Sequence, residues 1–320
     1  MAEQNLPLLI FQTIVGCLGI CGNGLLCIVI IKVHFMHTIT NAFIFNQALI
    51  DFLGSLVLLL SSVIPIPDPF PPGAGGALIC RLWVSQFFLW GFFVTSTFNL
   101  MAVTLERYLA IVFPFKYQQL ATRRNVILTI ACVWISGFLF ALQPMFRVQI
   151  KNGECKQKMI PYSEIFGIAI AIASYFLPFT VMLVVYIHIT LVLKKGAARL
   201  GPAPAVQPFG SGGGAVNDQR ESLMRARRNT FKTLLIVFIV FTVCWTPNTV
   251  IFFLFNLGVN INLNSPVHTV TVAMVAPNGC LNPFIYAIKY KQFRKALKTL
   301  FGRQNQIPEN SLATLTTNPG

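Results

Sequence analysis

Apolar residues along this chain are grouped into seven long runs, which short polar or basic segments separate. A helix needs about 20 apolar residues to cross a hydrocarbon core of about 30 Å. The runs are continuously apolar and do not alternate, which favours helices over a β-barrel. We therefore predict an all-α membrane protein with a seven-helix transmembrane bundle over residues 7–288. The predicted spans are 7–32, 40–66, 82–112, 124–145, 162–193, 230–257 and 266–288.

The segments outside the spans differ in composition. Residues 1–6 form a short tail, and residues 196–219 are rich in Gly, Pro and Ala, which predicts a flexible loop. After the last span, residues 289–301 carry Phe293, Leu297 and Leu300 at helical spacing between cations. This pattern predicts a short amphipathic helix on the membrane surface. The polar residues 302–320 predict a disordered tail.

Composition and charge support a membrane protein and give its orientation. Hydrophobic residues make up 55% of the chain and charged residues 10%, whereas soluble domains carry about 25% charged residues. The net charge of +15 is typical of nucleic-acid binding or of basic cytoplasmic loops, and the position of the cations between spans favours the loops. We expect membrane lipids and no nucleic acid as partners. Of 24 Lys and Arg residues, all but five lie on the side opposite the N-terminus, so we predict N-out and C-in; the five are Arg81, Arg147, Lys151, Lys156 and Lys158.

Asp51 is the only carboxylate in the middle of a predicted span. A charge at this depth is costly, so an intramembrane carboxylate is a functional candidate. Asn23, Ser96, Asn278 and Asn282 are polar residues on three other spans. If the bundle brings them to Asp51, their oxygens form either a small hard-cation site for sodium or a hydrogen-bond network that ties the helices together. The sequence favours neither reading over the other.

Several proline and aromatic motifs lie at defined places in the spans. Each also has an ordinary structural explanation, such as a helix kink, a core aromatic residue or a surface ion pair of little energetic value. Two cysteines, Cys80 before the third span and Cys155 in the following outer loop, face an oxidising compartment, which predicts a disulfide. The motifs are Glu106-Arg107-Tyr108, Pro178 with Tyr186, Cys244-Trp245-Thr246-Pro247 and Asn282-Pro283-Phe284-Ile285-Tyr286.

Taken together and in this order, the motifs resemble those of the rhodopsin-like (class A) G-protein-coupled receptors over residues 7–300. Gly22-Asn23, Ala48-Leu49-Ile50-Asp51 and Trp134 complete the pattern. The resemblance implies a plasma-membrane receptor that binds an extracellular ligand and activates a heterotrimeric G protein. It assigns activation and G-protein coupling to Glu106, Arg107, Tyr108, Tyr186, Phe241, Trp245, Pro247, Asn282, Pro283 and Tyr286, and sodium to Asp51, Ser96, Asn278 and Asn282.

The chain departs from the family pattern at two places. Where many members carry an acidic residue at the inner end of the sixth span, this chain has Arg227, which predicts raised basal activity. Cys80 also lies 27 residues before Arg107, two more than is usual, so we expect the top of the third span to be shifted or bulged.

The resemblance also narrows the ligand class. Leu89 stands where amine receptors carry Asp, and Ala276 stands where opsins carry the retinal lysine. The outer loop RVQIKNGECKQK is basic and predicts a hairpin. ERYLAIVFPF and NPFIYAIKYKQFRKAL resemble galanin- and somatostatin-type receptors, so we expect a neuropeptide, with a lipid or small neutral ligand as the alternative. The predicted ligand contacts are Gln86, Leu89, Trp90, Phe93, Asn248, Phe252, His268 and Val272.

A transporter and an enzyme are the alternatives to a receptor. A seven-helix transporter would also place Asp51 at mid-membrane, but it would need further charged residues along a path, and no others lie at mid-membrane depth. An enzyme would need His, Cys or carboxylate side chains that converge within the spans, and no such cluster is found. We therefore expect no enzymatic activity and no cofactor apart from the sodium ion.

Overall fold

The computed structural model describes residues 6–158, 160–199, 214–263 and 265–302, and it describes no side chains in 196–199 and 214–228. The predicted tails and most of the predicted flexible loop lie outside the described residues. The helices are α1 Leu6–Lys32, α2 Ile39–Val63, α3 Ala74–Leu78, α4 Phe87–Val112, α5 Pro114–Leu120, α6 Arg123–Phe140, α7 Leu142–Phe146, α8 Ser163–Ala171, α9 Leu177–Arg199, α10 Gly214–Asn256, α11 Pro266–Ala273, α12 Pro277–Lys289 and α13 Lys291–Leu300, and the strands are β1 Val148–Lys151 and β2 Glu154–Gln157.

The helices form the predicted seven-helix bundle. Within the described ranges, six helical stretches are long and apolar enough to cross a membrane; they are Leu6–Lys32, Ile39–Val63, Ala74–Val112, Arg123–Phe146, Ser163–Lys195 and Asn229–Asn256. The seventh span consists of the two shorter helices α11 and α12. Large apolar side chains such as Ile14, Ile28, Ile135 and Ile187 are exposed on the outside of the bundle, where lipid would solvate them.

Short polar side chains begin three of the helices. Thr38 caps α2 by accepting a hydrogen bond from the backbone N–H of Asn41 at 3.3 Å. Thr122 caps α6 in the same way, and Ser265 caps α11 through the N–H of His268 at 3.2 Å. These caps satisfy N–H groups that have no partner within the helix, which fixes where each span leaves the loop.

The third span contains the predicted irregularity. A π-helical segment, Ile79–Val84, precedes α4, and Ser85 donates its backbone N–H to the carbonyl of Cys80, five residues earlier, at 3.1 Å. Gln86 then adopts a left-handed conformation with φ of 57° before α4 begins at Phe87. The π turn accommodates additional residues between the disulfide and the helix, so the expected bulge is confirmed.

The seventh span is broken, which the sequence prediction of one run over 266–288 did not include. Residues 274–276 form a turn between α11 and α12. Val275 and Ala276 bond to carbonyls three residues earlier, and Pro277 opens α12. Proline lacks the N–H that would continue the helix and its ring clashes with the preceding turn, so the helix restarts at this residue.

Three other boundaries also differ from the prediction. The fourth span, predicted over 124–145, is divided at Ala141 between α6 and α7. The sixth helix begins at Gly214 and not at residue 230, so residues 214–219 of the predicted loop are helical. In the fifth span a π-helical segment, Ile172–Phe176, separates α8 from α9 just before Pro178, which cannot donate a backbone hydrogen bond.

The outer loop forms the predicted hairpin. Strands β1 and β2 pair antiparallel, and the turn residues Asn152 and Gly153 both have positive φ, as a two-residue turn between twisted strands requires. Cys155 on β2 is bonded to Cys80, with the two Cα atoms 5.6 Å apart. The predicted disulfide is therefore present and fixes the hairpin to the top of the third span.

Candidate functional site

All eight predicted ligand contacts line two adjoining cavities at the outer end of the bundle. The larger cavity, of about 390 Å³, is bounded by Asn248 and Phe252 together with four side chains that it shares with the smaller one. The smaller cavity, of about 270 Å³, adds Leu89 and Phe93. The four shared residues are Gln86, Trp90, His268 and Val272. The prediction omitted Gln143, Arg147, Gln157 and Tyr175, which also line the larger cavity.

Trp245 lines the larger cavity and contacts the aromatic residues around it. Its ring centroid lies 6.2 Å from that of Phe93 and 5.9 Å from that of Phe241. Tyr175 stacks on the indole at 6.4 Å and shares a hydrogen bond of 2.5 Å with Thr246. The indole N–H is buried and has no acceptor among the described residues. A ligand in the cavity can therefore reach an aromatic cluster on the helix that contains Pro247.

Below the cavity, Asp51 is buried at 5% exposure and accepts hydrogen bonds from three spans. Ser96 donates to one carboxylate oxygen at 2.8 Å, and Asn282 donates to the other at 2.8 Å. Gln47 lies one helical turn before Asp51 and donates to both oxygens at 3.1 Å. Three of the four residues predicted to hold sodium are thus in direct contact.

The other two polar candidates lie close to this cluster without bonding to the carboxylate. Asn278 lines a small cavity of about 10 Å³ together with Asp51 and Ser96. Asn23 donates to the backbone carbonyls of Gly19 at 2.9 Å and Gly279 at 3.1 Å. The side-chain oxygens of Asn23, Asn278 and Asn282 are buried and have no donor within the described part of the chain.

Gln47 was not identified from the sequence, although its spacing four residues before Asp51 is the spacing at which side chains on a helix meet. Its amide also donates to Ser96 at 2.5 Å, and its carbonyl oxygen accepts from Asn99 at 2.8 Å. Asn46 donates to Asn99 at 2.8 Å and accepts from the indole of Trp134 at 2.9 Å. These contacts connect the Asp51 cluster to the fourth span.

At the inner end of the third span, Arg107 is paired with its neighbour Glu106. The Arg107 Nε donates to Glu106 at 2.5 Å, and the guanidinium also donates to the hydroxyl of Thr40. Thr40 donates to Glu106 at 3.1 Å, and Tyr117 of the short helix α5 donates to Glu106 at 2.6 Å. Burial and the Glu106 carboxylate together raise the pKa of Tyr117 to about 12. The side chain of Arg227 lies outside the described residues.

The predicted tyrosines contact other aromatic and hydroxyl side chains of the bundle. Tyr186 is 3% exposed, accepts from Thr104 at 3.2 Å and stacks on Phe238 with ring centroids 5.1 Å apart. Tyr286 is buried in α12, which contains Pro283, and its ring contacts Tyr290. The Tyr108 hydroxyl shares a hydrogen bond of 2.9 Å with His188. The inner end thus combines one held cation with a set of packed aromatic side chains.

Comparisons with known proteins agree with this arrangement. A family model described as "7 transmembrane receptor (rhodopsin family)" matches residues 22–286. Melanopsin of Branchiostoma belcheri is 30% identical over 89% of this chain and 40% of its own length, and the Alpha-1A adrenergic receptor of Oryzias latipes is 24% identical over 89% and 64%. Galanin receptor 2a of Danio rerio is 28% identical over 94% of this chain and 79% of its own length. The chain therefore spans less than two thirds of the first two relatives.

Proposed function

The chain belongs to the rhodopsin family of seven-transmembrane receptors, a family of multi-pass membrane receptors and not of enzymes, and from this premise we propose that it binds an extracellular ligand and activates a heterotrimeric G protein. The observation that carries the proposal is the order of three sites from the outer to the inner end of the bundle. An outer cavity, a buried carboxylate cluster and a held inner arginine lie in that order. The family membership favours this reading over a transporter.

Packed side chains connect the outer cavity to the inner arginine. Trp245 at the cavity contacts Phe241, and further along the same helix Phe238 stacks on Tyr186. Tyr186 is bonded to Thr104, one turn before Arg107. Because packed side chains have discrete arrangements, a ligand that shifts Trp245 would change the packing of these connected side chains as far as Thr104. We expect α10 to swing outward about Pro247 and open the inner ends of spans five to seven.

In the resting state Arg107 would be held by its neighbour Glu106 and by Thr40 of α2. Glu106 and Thr40 both contact its guanidinium, and Arg107 is only 11% exposed. A G protein would bind the state in which this arginine is released, so ligand and G protein would favour the same open conformation. Arg227 supplies no acidic partner from the sixth helix, which supports the expectation of raised basal activity.

We propose a peptide as the ligand. The two adjoining cavities are roomy, their walls combine aromatic residues with the neutral amides of Gln86, Gln143 and Asn248, and a basic hairpin borders them. Leu89 stands where amine receptors carry Asp, and α4 runs without interruption from Leu89 to Arg107, so the residue count between the two positions holds. The pocket therefore has no carboxylate at this position to bind an amine. The relative named as a galanin receptor supports a peptide, whereas the adrenergic receptor does not.

A lipid ligand is the second candidate. An apolar cavity of about 340 Å³ lies between the outer ends of the first and seventh spans. It shares Leu8, Thr269 and Ala273 with the smaller ligand cavity, so an apolar ligand could occupy the space next to the binding residues. We expect no retinal, since Ala276 carries no amine.

Sodium at Asp51 is part of the same proposal. The ligands would be oxygens of Asp51, Ser96, Asn278 and Asn282, which is the type of donor that hard cations prefer. The unpaired carboxamide oxygens of Asn278 and Asn282 and a cavity large enough for about one small ion support this fit. The bound ion would neutralise the buried carboxylate and favour the closed bundle. The amide of Gln47 would compete with it for the carboxylate oxygens.

The direct test is nucleotide exchange on purified G proteins by the protein in liposomes, with a synthetic peptide library as the source of ligands. Arg107→Ala is expected to abolish exchange while sparing ligand binding, because the arginine contacts the G protein and not the ligand. Arg124→Ala, which removes an exposed arginine from the same face, is the matched control and should retain exchange. Absence of exchange with every ligand, together with solute flux, would refute the receptor function.

A further inference from the structure

Arg147 lies in the wall of the larger cavity, at the junction between α7 and the hairpin. Its backbone N–H donates to the carbonyl of Pro144 at 3.2 Å, and its carbonyl accepts from the N–H of Lys158 at 2.7 Å. The hairpin that begins at Val148 is itself fixed by the disulfide at Cys155. The backbone that carries the guanidinium is therefore held in place on both sides.

The guanidinium of Arg147 is half-buried and is surrounded by neutral acceptors. It donates to the carbonyl of Ser163 at 3.4 Å, and in the amide orientation that satisfies both residues, Gln143 accepts from its Nε at 3.1 Å and Nη1 at 3.3 Å. Among the described residues, the ion pairs are Arg107 with Glu106 and Lys156 with Glu154. Arg147 thus has no carboxylate within 4.0 Å in the part of the chain that the structure describes.

A partly buried cation without a carboxylate in direct contact is costly, and the cost falls when an anion binds to it. Burial lowers the pKa of Arg147 from its ordinary value, and Glu164 offsets this only in part. The walls of the larger cavity include no Asp, Glu or Lys among the described residues. The ring of His268 is engaged with the carbonyl of Leu263 at 2.8 Å. The fixed charge of the cavity is therefore positive and is concentrated at one side chain.

We propose that Arg147 is a ligand-binding residue that pairs with a carboxylate of the ligand, either a peptide C-terminus or an acidic side chain; this rests on the receptor function proposed above. A planar guanidinium matches a carboxylate with two parallel N–H donors, and such pairs are strong where water is excluded. The hairpin segment carries three lysines and one glutamate, and this net positive charge would speed the approach of an acidic ligand. The receptor thus selects the charge opposite to that of an amine.

The test compares carboxylates with carboxamides on matched receptor variants. A library of short synthetic peptides is made with free C-termini and as C-terminal amides, and each Asp or Glu is exchanged for Asn or Gln. The potency of each active peptide in stimulating nucleotide exchange is then measured on wild type, Arg147→Gln, Arg147→Lys and Arg81→Gln. Arg81 is the control because it is an exposed outer arginine that does not line the larger cavity. Cell-surface expression of each variant is measured in parallel.

We expect active peptides to lose about 30-fold or more in potency when their critical carboxylate becomes an amide, since a buried charge loses its partner. Arg147→Gln should cause a similar loss for the acid form and little further loss for the amide form, because the two changes remove the same contact. Arg147→Lys should retain part of the potency, and Arg81→Gln should match wild type.

Equal potency of acid and amide forms on wild type would overturn the Arg147 proposal and leave the receptor function intact. Equal weakening of both forms by Arg147→Gln would also overturn it, because that result describes a structural role. If Arg147→Gln reaches the cell surface poorly, the potencies of the acid and amide peptides on wild type still decide whether the ligand carboxylate is needed. Free fatty acids form a second arm: activation by them that needs Arg147 would support the carboxylate site and refute the peptide. If none of the probes stimulates nucleotide exchange, the receptor function and this proposal are both refuted.

Discussion

Replacing Gln47 with Leu tests how the buried Asp51 is stabilised. The change keeps a side chain of similar size but removes the amide donor to both carboxylate oxygens and to Ser96, and the acceptor for Asn99. Hydrogen bonds between membrane helices contribute about 0.6 kcal/mol on average and at most about 1.7 kcal/mol. Two of the lost contacts, to Ser96 and Asn99, join helices, and their loss should lower the stability by about 1–3 kcal/mol in sodium-free buffer.

Sodium should offset a larger part of this loss than it contributes in wild type. Without Gln47, the oxygens of Asp51 keep only Ser96 and Asn282 as donors and are more open to a cation. Ligand binding stabilises the folded state in proportion to RT ln(1 + [L]/Kd), so a tenfold gain in sodium affinity would add about 1.4 kcal/mol at high sodium. The sodium-dependent rise in Tm should therefore be greater in Gln47→Leu than in wild type.

The assay is thermal unfolding of the purified protein in sodium chloride and in N-methyl-D-glucamine chloride at equal ionic strength. Asn46→Leu is the matched control: Asn46 is also buried and bonds to Asn99 and Trp134, but not to Asp51. It should lower Tm in both salts and leave the sodium increment unchanged. If Gln47→Leu lowers Tm but its sodium increment equals that of wild type, the proposed competition at Asp51 is wrong.

Two further predictions concern helix packing and the inner ion pair. Gly137→Ala should lower stability by about 1–3 kcal/mol, because the added Cβ would lie 2.0 Å from the hydroxyl of Thr95, whereas Gly75→Ala meets open space and should match wild type in thermal unfolding; equal Tm values for the two variants would contradict this. Thr40→Val removes a hydrogen bond that holds Arg107, so basal nucleotide exchange should rise about 2- to 10-fold. Unchanged basal exchange at equal surface expression would count against the role of Thr40.

The transmembrane spans could be predicted from the sequence because the bilayer imposes a length and an apolar composition on each segment separately. The bulge was predicted by the resemblance, because two more residues than is usual in the family separate Cys80 from Arg107. The turn of the outer hairpin is a local feature, because Asn152 and Gly153 are residues that adopt positive φ. The break at 274–276 was missed although Pro277 signals it, because the apolar run continues on both sides.

Contacts between spans were decided by the tertiary structure. Asp51 stood out in the sequence as a buried carboxylate, but the choice of Ser96, Asn282 and Gln47 as its donors depends on how three helices are rotated and packed. Arg147 was one of five outer cations in the sequence, and only the fold placed it in the wall of a cavity whose described lining residues include no carboxylate. Hydrophobicity and local turn chemistry act along the chain, whereas the partners of a polar side chain are fixed by neighbours that are distant in sequence.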